Sequence, residues 1–243
     1  MKKYRDRIYS QYVEGRHDSD EPGLINDLAG RAPTMSRVIR DFFPKEKTAR
    51  ILDLGCGHGT LIHFALKAGY SNIQGVDVSP QQIRLAHKLG ISKVQQGDLV
   101  ETLKTIPPAS LDAVVTFDVI EHFTKDELIE LVDSINEVLK RGGRWIIHAP
   151  SANSPFFGAI RYGDYTHEQA FTPASLQQLL KSSKYSKIEF AECAPLVHGM
   201  RSFVRLIIWK IFRFVFIIAN AAETGEIGWN AVLTRNFYAV AYK

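Results

Sequence analysis

Ile51-Leu52-Asp53-Leu54-Gly55-Cys56-Gly57-His58-Gly59 is the stretch on which the fold of this chain turns. Four residues of strand character run directly into three glycines set at every second position. Glycine lets a backbone turn sharply and leaves no Cβ between the main chain and a ligand lying against it. From Leu61 an apolar, helix-forming run follows, so the glycines join the end of a strand to the start of a helix. Such a junction presents free backbone amides.

Working outward, short apolar strands alternate with amphipathic helices. Strands are predicted at Arg50–Leu54, Asn72–Val76, Lys93–Gln96, Leu111–Phe117 and Arg144–Ala149, and helices at Leu61–Ala68, Pro80–Leu89 and Lys125–Leu139. Ser79 before Pro80 and Thr124 before Lys125-Asp126-Glu127 are helix starts, and Arg141-Gly142-Gly143 reads as a helix stop. After Pro150 come an irregular loop over 151–172, a helix at Pro173–Lys181, a strand at Lys187–Glu192 and a last strand at Asn236–Ala241. This alternation specifies an α/β, Rossmann-like, doubly wound and mostly parallel seven-stranded sheet. The expected organisation is an N-terminal arm with cap helices (1–48), a core (49–195), a helical insertion (196–235) and a final core strand (236–243). The arm carries Tyr4, Tyr9 and Tyr12, then apolar residues from Leu24 to Phe42 at helical spacing.

At 243 residues, 45% hydrophobic and 23% charged, the chain can bury a full core, which excludes a disordered or fibrous protein. Two cysteines, Cys56 and Cys193, exclude a disulfide framework or a cysteine-based zinc site and suit a reducing compartment. The charged start Met1-Lys2-Lys3-Tyr4-Arg5 lacks the apolar core of an export signal, so a cytoplasmic protein is expected. The net charge of +4 is scattered rather than gathered, and no nucleic-acid partner is expected.

Two acidic positions complete the pocket implied by the glycine turn. Asp77 ends the second strand, where its carboxylate can accept both hydroxyls of a ribose. Gly97-Asp98-Leu99 ends the third, placing Asp98 near the exocyclic amine of an adenine. The spacing is G-x-G-x-G rather than the dinucleotide G-x-G-x-x-G, and Asp53 lies just before it. A carboxylate there can engage the amino group of a methionine but would repel a pyrophosphate. The cofactor these residues point to is S-adenosylmethionine, bound by Asp53, Gly55, Cys56, Gly57, Asp77, Val78, Asp98 and Leu99. No metal is expected, because no cluster of hard oxygen ligands is evident.

These residues resemble motif I and the two acidic positions of class I methyltransferases, over roughly Arg50 to Pro150. Phe117-Asp118-Val119-Ile120-Glu121-His122-Phe123 is similar to the Glu-His motif of small-molecule methyltransferases akin to the ubiquinone-biosynthesis group. The resemblance implies that Phe117, Asp118 and His122 line the methyl-transfer site and that Gln82 borders the adenosine. His167-Glu-Gln-Ala-Phe171-Thr-Pro-Ala-Ser175-Leu176 is similar to the acceptor-loop segment of the same group. Ala222-Glu-Thr-Gly225-x-x-Gly228 looks like methyltransferases found with bacterial surface-polysaccharide synthesis.

The acceptor is read less directly. Either His122 or His167 suits a general base, with Asp164 orienting His167; the alternatives are that Glu121-His122 caps the following helix or holds the cofactor pocket, and that His167 fixes the loop. His148 and His198 read as packing or loop residues. The loop, with Arg161 and its tyrosines, suits an oxygen acceptor on a small molecule, sugar or lipid-linked glycan. An RNA or protein methyltransferase and a non-catalytic cofactor-binding subunit are the rival readings. The segment 201–219 sets Phe203, Val204, Ile207, Ile208, Ile211, Phe214, Val215 and Ile218 on one apolar face, with Arg201, Arg205, Lys210 and Arg213 on the other half. It fits a helix packed on the core, a homodimer interface, or a helix lying on the inner face of an anionic membrane.

Overall fold

The computed structural model describes residues 3–10 and 22–243. The arm expected around Tyr12 lies outside them. The strands are β1 (Ile51–Leu54), β2 (Ile73–Asp77), β3 (Val94–Gln96), β4 (Leu111–Phe117), β5 (Leu139–Pro150), β6 (Lys187–Glu192) and β7 (Asn236–Tyr242). They form one sheet in the order β3-β2-β1-β4-β5-β7-β6, in which β7 runs antiparallel to both of its neighbours. The chain reverses direction across the sheet between β1 and β4, and the glycine turn opens at that switch point, where open α/β sheets bind ligands.

Alternate residues of the central strands face opposite layers. Ile51, Ala113, Val115 and Ile146 pack against α2 (Ala32–Phe42), α3 (Thr60–Lys67) and α4 (Pro80–Lys88). Leu52, Val114, Trp145 and Ile147 pack against α5 (Leu99–Thr105), α6 (Lys125–Val138) and, following a short α7 (Phe157–Arg161), α8 (Pro173–Ser182). Burial on both faces is why these strands read as continuous apolar runs. The helix α5 was not expected from sequence; its seven residues are too few to show a period. On the N-terminal side, α1 (Lys3–Ser10) is tied to the core by Arg5, whose Nη1 donates to Glu127 Oε2 at 2.8 Å, and by a Tyr4 hydroxyl bond to Glu168.

One expectation needs correction, and one choice that the sequence leaves open is narrowed. Gly142-Gly143 is not a helix stop: α6 ends at Val138 and β5 starts at once, and the glycines form a bulge within it. Gly142 has φ +76°, and a Cβ on Gly143 would lie 2.8 Å from the Lys140 carbonyl oxygen, so the bulge needs both. The second concerns α9 (Met200–Thr224). It meets the body along Ser202, Leu206, Trp209, Arg213 and Ile217, and Arg213 donates to Glu192 Oε2 at 3.0 Å and to the Trp229 carbonyl at 2.7 Å. The apolar face that the sequence offers for packing points away from the protein, with Ile211 59% and Val215 53% exposed. Among the described residues, no helix is long and apolar enough to cross a membrane.

Candidate active site

A cavity of about 480 Å³ opens at the switch point, and every cofactor position predicted from sequence lines it: Asp53, Gly55, Cys56, Gly57, Asp77, Val78, Gln82, Asp98, Leu99, Phe117 and Asp118. The amides of Gly55 and Cys56 donate to the Val76 carbonyl at 2.8 and 3.1 Å, which folds the turn back over β2. Gly55 has φ +73°, and a Cβ on it would come within 2.4 Å of Val119 Cγ2. Cys56 is buried beneath the turn, and burial pushes its thiol up, so it is a small packing residue and not a nucleophile.

Asp77 is fixed from both sides: Gly57 N donates to its Oδ2 and Ser79 N to its Oδ1, each at 2.8 Å. Each oxygen keeps a second lone pair, as a pair of ribose hydroxyls needs. Gln82 Oε1 lies 3.1 Å from His58 Nδ1, whose ring reaches Thr60 Oγ1 at 2.8 Å, so His58, unassigned from sequence, braces the wall. Asp98 also caps α5, accepting from the amides of Val100 and Glu101 with Oδ1.

Asp53 is the exception to good pairing. It is 2% exposed, its Oδ1 has no hydrogen-bond partner among the described residues, and burial, then the nearby Asp77 charge, push its pKa up to about 7. A buried carboxyl left unsatisfied at the floor of a cavity lined with other acids is matched by a cationic ligand. The residues fit S-adenosylmethionine on this observation.

Beyond β4 the chain turns through Asp118, at φ +56°. Its carboxylate meets His148 Nδ1 at 2.7 Å, and the Phe117 ring stacks on His148 with centroids 3.9 Å apart. Burial pulls the His148 imidazole down, but Asp118 more than offsets this and raises it to about 10, so it is a cation. His148 itself does not line the cavity; it is buried behind Phe117 and Asp118, in keeping with its reading as a packing residue, and holds both in place. The Asp118 side chain is 47% accessible, and the cavity it lines is where that surface is reached.

A 3-10 turn over Ile120–His122 then delivers Glu121 and His122 into the same cavity, where they meet His167 from the 151–172 loop. The His122 and His167 ring centroids are 4.8 Å apart. His167 Nδ1 donates to the Ile160 carbonyl at 3.0 Å, which leaves Nε2 as its lone-pair nitrogen. His122 Nδ1 bonds Thr166 Oγ1 at 2.8 Å, and that hydroxyl donates to Asp164 Oδ1, so His122 also carries its lone pair on Nε2. Burial and then the neighbouring His167 hold His122 near pKa 4, so it is neutral. Glu121 is fully buried, and both carboxylate oxygens lack partners among the described residues.

Three sequence readings change here. Asp164 orients His122 through Thr166, whereas a backbone carbonyl holds His167. Glu121 does not cap the next helix: Thr124 and Glu127 form that cap. Arg161 is committed to the Glu168 carbonyl at 2.8 Å and shapes the loop. The structure adds Arg5, Met35, Ile160 and Asn236 to the lining, brought in by tertiary packing from segments that carry no motif.

The fold is a Rossmann-like, doubly wound sheet with a ligand-sized cavity at its switch point. Residues 51–143 match a family model described as a methyltransferase domain. The chain is 29% identical to a ribosomal protein L11 methyltransferase of Chromohalobacter salexigens over 54% of its own length and 46% of that protein's. It is 28% identical to an ajmaline N-methyltransferase of Rauvolfia serpentina over 44% and 41%. It therefore spans less than half of the curated relatives it matches. The fold is shared with a SAM-dependent methyltransferase of Archaeoglobus fulgidus over the whole of both chains (TM-score 0.65, 20% identity). It is also shared with phosphoethanolamine N-methyltransferase 2 of Haemonchus contortus, solved with S-adenosyl-L-methionine (TM-score 0.62, 17% identity, 100% of this chain and 60% of that one).

Proposed function

We propose that this chain is an S-adenosylmethionine-dependent methyltransferase acting on an oxygen of a small molecule, sugar or lipid-linked glycan. The observation that carries this reading is that Asp53 and Asp77 share one cavity with the lone-pair nitrogens of His122 and His167. The bound cofactor supplies a methyl group on a cationic sulfur, which an aligned nucleophile displaces. Asp53 holds the amino group of its methionine part, Asp77 its ribose hydroxyls, and Asp98 and Leu99 border its adenine. Asp118 is held in place on the cavity wall by its ion pair with His148. His122 and His167 mark the place where an acceptor hydroxyl is activated.

The exposed face of α9 supports a lipid-linked acceptor met at an anionic membrane surface. Nine apolar side chains from Phe203 to Ile218 are exposed, with Arg201, Arg205 and Lys210 among them, a composition that suits the headgroup region. A second reading, methylation of nitrogen on a small molecule or protein, is favoured by the names of the curated relatives. Transfer of labelled methyl groups into cell extract fractions, followed by product mass and linkage, separates the two. Tight S-adenosylhomocysteine binding with no labelled product would leave only the cofactor-binding subunit.

A further inference from the structure

We propose that Glu121, His122 and His167 form a binding site for a divalent transition-metal ion beside the cofactor pocket. The three side chains offer ligand atoms that all lie within 4.8 Å of one another, and all three line the cavity. The inference rests on the methyltransferase reading only for the role of the ion, not for its binding.

Glu121 carries the first part of the case. Both of its carboxylate oxygens are buried and have no hydrogen-bond partner among the described residues, as for Asp53 Oδ1 elsewhere in the cavity. Leaving two such oxygens bare is unfavourable, and a cation is the partner that satisfies both. The histidines carry the second part. A histidine that ligates a metal donates its other ring N–H to a carbonyl or carboxylate, which fixes the tautomer. His167 does this with Ile160, and His122 does it through Thr166 to Asp164, so each ring already has the ligating tautomer. An ion with bonds of about 2.0–2.2 Å draws its ligand atoms to about 3–3.5 Å of each other, so the side chains close by no more than about 1.8 Å.

Two imidazoles and one carboxylate select Zn²⁺, Mn²⁺ or Fe²⁺ over Mg²⁺ and Ca²⁺, which prefer oxygen throughout. Three protein ligands leave positions open on the cavity side. An ion held there would meet an acceptor hydroxyl or a vicinal pair of hydroxyls, and the imidazoles would then serve as ligands and not as bases.

The test is isothermal titration of tag-free, chelator-treated protein with Mn²⁺ and Zn²⁺, alongside S-adenosylhomocysteine binding and melting temperature. One ion per chain is expected, with His167→Ala and Glu121→Gln each weakening it at least ~100-fold and Thr166→Val about 10- to 100-fold, while cofactor-product binding is retained. Absence of saturable one-to-one binding, or variants that bind as tightly as the parent, overturns the site. Because binding is read without turnover, a protein that methylates yet takes up no ion sinks this inference alone. One that takes up the ion yet methylates nothing sinks the enzyme reading alone.

Discussion

Replacing Asp53 by Asn tests the cofactor pocket through a property of the empty protein. The carboxyl has a pKa of about 7 when folded, against 3.8 for the ordinary group, so the folded state retains a proton that the unfolded chain releases. Stability therefore falls as pH climbs from about 4 to 7 and stays low above that. A shift of about three units corresponds to ~4 kcal/mol at pH 8. Asn carries no charge to desolvate, so the D53N protein without ligand should be more stable than the parent at pH 8 by ~1–3 kcal/mol, several degrees of melting temperature. A ligand's amino group binds the ionised carboxylate, so the parent should bind S-adenosylhomocysteine about tenfold more weakly at pH 6 than at pH 8. In D53N that slope should vanish, and affinity at pH 8 should drop by ~2–4 kcal/mol, or about 30- to 1000-fold, for the lost buried charge pair. Melting curves and calorimetric titrations at the two pH values provide the readings. A variant that is less stable than its parent at pH 8 and binds with unchanged affinity and slope would falsify the assignment.

Gly55→Ala should destabilise the protein by ~2–4 kcal/mol in denaturant melts, from the positive φ and the contact with Val119; Val119→Ala should recover the contact part but not the backbone part. His167→Ala should lower kcat for methyl transfer at least ~100-fold with cofactor-product affinity within about threefold, and equal losses in both would move His167 to the cofactor side. Treatment with a chelator should abolish turnover and added Mn²⁺ or Zn²⁺ should restore it, whereas activity indifferent to the chelator would separate methyl transfer from any ion. Liposomes containing anionic lipid should float with the protein, and Ile211→Asp with Val215→Asp should release it; failure of the parent to float on such vesicles removes the membrane from the account.

The cofactor half of the site was legible because its residues are tied to strand ends. Once Ile51–Leu54 and the apolar runs after it are read as parallel strands, Asp53, Asp77 and Asp98 must arrive at the same sheet edge. The acceptor half was legible only as candidates. His122 and His167 lie 45 residues apart, and what joins them is the Thr166 hydroxyl and the Ile160 carbonyl, contacts that no spacing announces. His148 packs as the sequence suggested, but its ion pair with Asp118, which is bent into positive φ, is visible only in three dimensions. Arg5 carried no signal at all. The segment 201–219 reads as a helix with one apolar face, and whether that face meets the core, a partner or a membrane is open from the sequence. Hydrophobic periodicity finds an apolar stripe but not what it faces, and here the inward stripe holds Ser202 and Arg213.

The antiparallel strand β7 sits between β5 and β6 although it is the last of the seven along the chain. During synthesis β6 therefore leaves the ribosome with no neighbour to pair with, and α9 follows it before the strand that locks both in place. For that interval a 25-residue helix with its oily side outward is attached to an open sheet edge. A bilayer or a chaperone that covers this helix early would shield the nascent chain from aggregation until residues 236–242 close the sheet.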